Sequence, residues 1–220
     1  MVKESATSRL SRETWVAGAI EVIAESGLDA VAVEPLAARL GVTKGSFYWH
    51  FGGRADLIEA VLATWEQTAT GAVIANLVPI ADPRERLRAI LTLTISHGND
   101  QRAELALLGA ASDPNVAAAI GRVNEARLGF LTQIFTDLGY RKKTAGVRSR
   151  IAYSAYLGHL NLQSALDGRL PKAATDNYIE QFLTMLLAPD PAARLSRSDH
   201  FASELAGPAR KRLSLTGRNR

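Results

Sequence analysis

Residues Val33–Arg54 read VEPLAARLGVTKGSFYWHFGGR, and this stretch decides the fold. Its punctuation predicts two short helices joined by a tight turn. The first spans about Glu34–Leu40, with Pro35 in the opening turn, where a missing N–H costs little. Gly41 follows as the residue that takes the positive φ of a helix C-terminus. Thr43 is placed to cap a second helix over Lys44–Phe51, which the Gly52-Gly53 pair stops. This is a helix-turn-helix pattern, and Ala37 is small where the two helices would cross. Leu36, Leu40, Val42 and Phe47 are the side chains expected to pack beneath them, and Phe51 is likewise assigned to the core. The remaining face carries Thr43, Lys44, Ser46, Tyr48, Trp49 and His50. Three large polar-tipped residues in a row cannot all face one small core. Hydroxyls, an ammonium group and a helix N-terminus suit phosphate oxygens and base edges.

Outward from this stretch the chain remains helical. Ser11 is a candidate cap for a first helix ending near Gly27, with Val16, Ile20 and Ile23 on its apolar face. A fourth helix starts at Arg54 and carries Ile58, Val61, Leu62 and Trp65 on one side, running toward Leu77 despite Gly71. Asp82-Pro83 and Asp113-Pro114 each supply a cap followed by a first-turn proline. Further helices are expected at about 83–98, 100–111, 114–138, 144–167 and 175–188, the last capped by Thr175. The predicted class is all-α: a three-helix helix-turn-helix domain followed by a larger helical domain.

Composition restricts the function. Cysteine is absent, which excludes a disulfide scaffold and thiolate chemistry. No apolar run approaches the roughly 18 residues a membrane span requires, and the polar stretch Met1–Leu10 lacks an apolar signal core. A cytoplasmic protein without membrane contact is expected. Residues 1–54 carry six basic and six acidic side chains, residues 55–193 thirteen and fourteen, and residues 194–220 seven and two. The basic balance therefore belongs to the tail, and DNA binding must rest on particular side chains rather than on a general positive field. The tail, residues 194–220, reads as disordered, and its Arg210-Lys211-Arg212 run offers at most non-specific DNA affinity.

The run Leu40-Gly41-Val42-Thr43-Lys44-Gly45-Ser46-Phe47-Tyr48-Trp49-His50-Phe51, followed by Arg54, Asp56 and Leu57, resembles the DNA-binding domain of TetR-family (tetracycline-repressor-like) regulators. Gly27-Leu28-Asp29-Ala30 also fits that pattern. The resemblance is specific over about Ser11–Trp65 and general beyond. It implies phosphate contacts from Thr43, Tyr48 and His50, and a major-groove surface from Lys44, Gly45, Ser46 and Trp49. Arg54 matches a phosphate-contacting lysine at the start of the fourth helix, with altered donor geometry. Val33 stands where the family often has a threonine cap. The resemblance divides the chain into a DNA-binding domain at 9–54, a linking helix at 54–77, an effector-binding and dimerisation domain at 55–193, and the tail. It further implies a homodimer on palindromic double-stranded operator DNA, acting as a ligand-responsive repressor without cofactor or metal.

The second half supports part of this independently. The helix at 144–167 is apolar around most of its circumference, so more than one side is buried. With the helix at 175–188 it offers a dimer interface of Ile151, Ala155, Leu162, Tyr178, Phe182 and Met185; a monomeric core is the alternative. Candidate effector contacts are Trp65, His97, Phe130, Tyr156 and Asn161. Their apolar character points to a small, largely apolar effector. An enzyme is the first rival, yet there is no phosphate loop, nucleophile elbow or metal-ligand spacing. A helical protein-interaction module is the second rival.

Overall fold

The computed structural model describes residues 10–96, 101–165 and 172–189. Ten α-helices and no strand occur among them. Helix α1 is Arg12–Ser26, and the hydroxyl of Ser11 accepts the Thr14 N–H at its start. A short 3-10 turn, Leu28–Ala30, leads to α2, Val33–Arg39, and α3, Lys44–Phe47. Helix α2 ends in a closed cap: Val42 N–H donates to Ala37 O and Gly41 N–H to Ala38 O, with Gly41 at φ 69°. That is the paired-bond termination which only a left-handed residue permits cheaply.

The core under these helices is aromatic. Trp15 of α1 is fully buried and meets the Phe47 ring edge-on at 5.3 Å; Phe51 stacks on Phe47 at 5.2 Å. Gly18 also matters here. A Cβ at this position would lie 3.1 Å from Leu40 Cδ2 and 3.3 Å from Leu36 Cδ1, so α2 approaches α1 through the space that glycine leaves. Ala37, buried at the neighbouring crossing, serves the same purpose.

Helix α4, Arg54–Glu66, continues through a π segment, Gln67–Gly71, into α5, Ala72–Leu77. The interruption falls at Gly71, where the sequence weakens the helix. Next come α6 (Pro83–Ser96), α7 (Gln101–Gly109), α8 (Pro114–Asp137), α9 (Lys142–Ala165) and α10 (Lys172–Leu186). Asp113 caps α8 by accepting from Asn115 N–H and Val116 N–H, and Pro114 occupies its first turn. Helix α8 packs along α9, and α10 lies on α6. The amino-terminal helices join this body through α1 against α7 and α4 against α8. Leu107, Val116, Ala119 and Val123 accordingly belong to the same hydrophobic cluster as Trp15 and Leu57.

Three expectations change. Regular α3 stops at Phe47, and Tyr48–His50 form a turn: the N–H groups of His50 and Phe51 both return to the Phe47 carbonyl. The Thr43 side chain makes no capping bond, which leaves that short helix without side-chain support at its start. Helix α10 begins at Lys172, so Thr175 lies inside it. The tail after Ala192 and His97 lie outside the described residues.

Candidate functional site

The α2–α3 unit presents its polar face outward. Thr43, Lys44 and Gly45 are exposed, and Ser46 and His50 are half-buried. Tyr48 is 53% and Trp49 74% exposed, the reverse of what an apolar core would do with such rings. The reason is geometric. Phe47 points inward onto Trp15, and the turn that follows throws its neighbours out; Tyr48 stays edge-on to Phe47 at 5.3 Å, which fixes its direction. Lys44 Nζ lies 2.5 Å from Glu34 Oε1, and this hydrogen bond raises the ammonium pKa while lowering that of Glu34. On the opposite edge Arg39 holds Glu25 with two bonds of 2.6 and 2.7 Å and reaches Glu21 at 3.2 Å.

Arg54 is occupied by the protein itself. Its Nε donates to Val31 O at 2.7 Å and its Nη2 to Leu28 O at 2.8 Å. The guanidinium therefore ties the start of α4 to the turn between α1 and α2. A lysine could not make this forked pair of bonds.

A second site lies in the larger body. A small pocket, about 60 Å³ in volume, opens between α5, α6, α8, α9 and the π segment. Val73, Ile74, Ile90, Leu91, Phe130 and Leu131 supply most of an almost wholly apolar wall, and Tyr156 lines it too. Trp65 lies elsewhere, buried in the cluster beneath the helix-turn-helix. Asn161 is exposed on α9, away from the pocket. Trp65 departs because periodicity marks a buried face but does not say which of two cores it serves; Asn161 departs because it lies on the solvent side of α9.

The pocket also holds a polar group that helix patterning passed over. Arg127 and Glu104 form a buried ion pair, with side chains 10% and 5% exposed and Nη1 2.6 Å from Oε1. Arg127 Nη2 donates to Glu104 Oε2 and to the Ala69 carbonyl, Nε to Thr70 Oγ1, and Nη1 more distantly to Tyr153 OH. Ala69 and Thr70 belong to the π segment, so Arg127 braces the point where the α4 ladder changes register. Burial works against the guanidinium charge, but the hydrogen bonds and charge of Glu104 outweigh it and hold the pKa above the arginine range. Tyr156 OH donates to Glu104 Oε2, and burial together with that carboxylate pushes the phenol pKa up. A sign was present in the sequence: Arg127 falls on the same stripe of α8 as Val116, Val123 and Ile134.

The outer face of α9 leaves Val147, Ile151 and Leu162 more than half exposed, in one stripe, with Ala155 half-buried between them. On α10, Met185 is 71% and Tyr178 40% exposed, whereas Phe182 is buried within the chain. Tyr178 stacks on the buried ring of His159 at 5.5 Å, which ties α10 to α9.

The comparisons with known proteins divide along the same line. Residues 16–61 match the profile of the family described as bacterial regulatory proteins, tetR family. That segment is of the TetR family. Over 62 residues the chain is 34% identical to the uncharacterized HTH-type transcriptional regulator TtgW of Pseudomonas putida, covering 28% of this chain and 46% of that protein. Over 54 residues it is 33% identical to the class D tetracycline repressor protein of Escherichia coli, covering 24% and 25%. The matched stretch is thus less than half the length of either relative. Solved structures extend the likeness of fold to the rest. A transcriptional regulator from Rhodococcus superposes with a TM-score of 0.68 over 81% of this chain and 96% of its own, at 20% identity. FadR of Bacillus subtilis, solved with stearoyl-CoA, gives 0.64 over 81% and 98%, at 17% identity. At these identities the two share an architecture with this chain, and no more.

Proposed function

We propose that the protein is a DNA-binding transcription regulator, a repressor that holds a palindromic operator as a homodimer and releases it when a small, largely apolar effector occupies the pocket. The observation that carries this reading is the outward cluster of Lys44, Tyr48 and Trp49 on a TetR-type helix-turn-helix. In the complex, Thr43, Tyr48 and His50 meet phosphates, and Lys44, Gly45, Ser46 and Trp49 face the major groove. Lys44 must leave Glu34 to do so, and the exchange of one anion for another keeps the cost small. Arg54 acts indirectly, by fixing α4 against the α1–α2 turn.

A single short reading segment makes too few contacts for a tight specific complex. Two of them, held about 34–36 Å apart or a whole helical turn further, read two half-sites. The exposed stripe Val147, Ile151 and Leu162, with Tyr178 and Met185 beside it, is the surface on which we place the dimer. Phe182 supports that surface from below. An effector couples to DNA through the π segment, whose Ala69 and Thr70 share a wall with the pocket and a helix with α4. Such coupling is typically about 1–3 kcal/mol, and it requires the effector to prefer one of the two states. The test is a mobility shift with the DNA flanking the protein's own gene at moderate salt. A retained palindromic site, weakened by Lys44→Ala, is expected; no retained site in the absence of effector would contradict the reading.

A further inference from the structure

The internal bookkeeping of charge in the pocket specifies the effector more closely, on the reading that this pocket is the effector site. Arg127 is the one cationic side chain lining it among the described residues. In many sites such a residue waits for an anion. Here Glu104, Thr70, Ala69 O and Tyr153 account for all five guanidinium N–H groups. Glu104 is matched in turn: Oε1 accepts from Arg127, and Oε2 from Arg127 and Tyr156. Of the other hydroxyls that line the pocket, Tyr153 OH donates to Asn124 Oδ1 at 2.7 Å and Thr94 Oγ1 to the Ile90 carbonyl. The pair is thus neutral as a unit, and it offers an incoming molecule neither net charge nor an unused N–H.

We propose that the Arg127–Glu104 pair is the specificity determinant of this pocket, making it a site for an uncharged apolar molecule and closing it to carboxylates. A carboxylate would shed its water to enter an apolar wall and find no unengaged guanidinium N–H there, and it would lie near the Glu104 charge. An uncharged chain of the same shape loses little on entering and gains the contacts of Val73, Ile90, Phe130 and Leu131. Rejection built from an unpaired charge is a common route to selectivity. One substitution should reverse the preference. Glu104→Gln keeps an acceptor for Arg127 but removes the cancelling charge, so the guanidinium becomes available to an anionic head group.

Binding of 1-octanol and 1-decanol is compared with that of octanoate and decanoate, by calorimetry and thermal shift, on the full chain at a pH where the acids are ionised. The wild-type protein is expected to bind the alcohols about tenfold or more tightly than the matching acids. Glu104→Gln is expected to shrink or invert that ratio, and Val73→Phe, which fills the pocket, to remove alcohol binding. Carboxylates that bind wild type as well as the alcohols would overturn the charge rule and leave the effector pocket standing. Failure of all four probes on the wild type would overturn the pocket reading itself. Should Glu104→Gln not fold, the wild-type ratio alone decides.

Discussion

Arg127→Met is the perturbation whose consequence the structure prescribes most closely. Methionine fills much of the aliphatic volume but supplies no donor and no charge. It strands Glu104, only 4% exposed, with Tyr156 OH as its remaining partner, and it removes the bonds that Ala69 O and Thr70 Oγ1 of the π segment accept from the guanidinium. Removing one partner of a buried pair costs about 3–5 kcal/mol, because the other charge stays behind. At about 2–4 °C per kcal/mol for a chain of this size, the melting temperature should fall by roughly 6–20 °C. The loss should depend on pH with a definite sign. An unpaired buried Glu104 prefers to be protonated, so its folded pKa lies above its unfolded value; the variant's deficit is then smaller at about pH 5 than at about pH 8. Arg127→Met with Glu104→Leu removes both charges and should recover most of the loss, since apolar replacement of a whole pair is often close to neutral. Urea unfolding at fixed protomer concentration measures all three variants. A single variant within about 1 kcal/mol of wild type, or a double variant no better than the single, would refute the reasoning.

Four further outcomes follow from the same geometry. Lys44→Ala and Tyr48→Ala should each weaken operator binding while sedimentation still shows a dimer, and loss of the groove-facing Lys44 should cost more affinity on the operator than on an unrelated duplex. Ile151→Glu with Leu162→Glu should yield folded monomers with little specific DNA binding, as read by sedimentation and circular dichroism. Arg54→Lys should lower stability by losing the Val31 and Leu28 carbonyls, and should leave the salt slope unchanged. Burial lowers the His159 pKa, although a hydrogen bond with the Ile95 backbone opposes this; the folded state therefore prefers the neutral ring, and stability falls as pH drops below the unfolded value of about 6.5. His159→Phe should flatten that part of the stability profile.

The helices were legible in the sequence because their ends carry chemistry: Ser11, Asp113, Pro114 and Gly41 act within one turn of themselves. Gly139 ends α8 with the same pair of returning bonds as Gly41, from Tyr140 to Phe135 O and from Gly139 to Thr136 O. The outward cluster at Tyr48 and Trp49 was legible because three bulky residues in succession exceed what a small core can take. What escaped depends on partners distant in sequence. Arg54 reaches carbonyls more than twenty residues away, so its assignment from position alone was incomplete. Glu104 and Arg127 sit on different helices and make sense only together. Gly18 reads as a weak helix residue until Leu36 and Leu40 are seen against it. Trp65 and Phe130 have the same apolar signature, and only tertiary packing assigns one to the inter-helix core and the other to the pocket.

The central claim, that the Thr43–His50 face meets DNA, has a direct optical test. Of the three tryptophans, Trp15 is 0% and Trp65 6% exposed, whereas Trp49 is 74% exposed. A neutral quencher such as acrylamide therefore reads Trp49 above all. Titration with the DNA flanking the protein's own gene should remove most of the quenchable fluorescence at saturation, and an unrelated duplex should do so far less at moderate salt. Trp49 that stays fully quenchable while the specific DNA is bound would contradict the account.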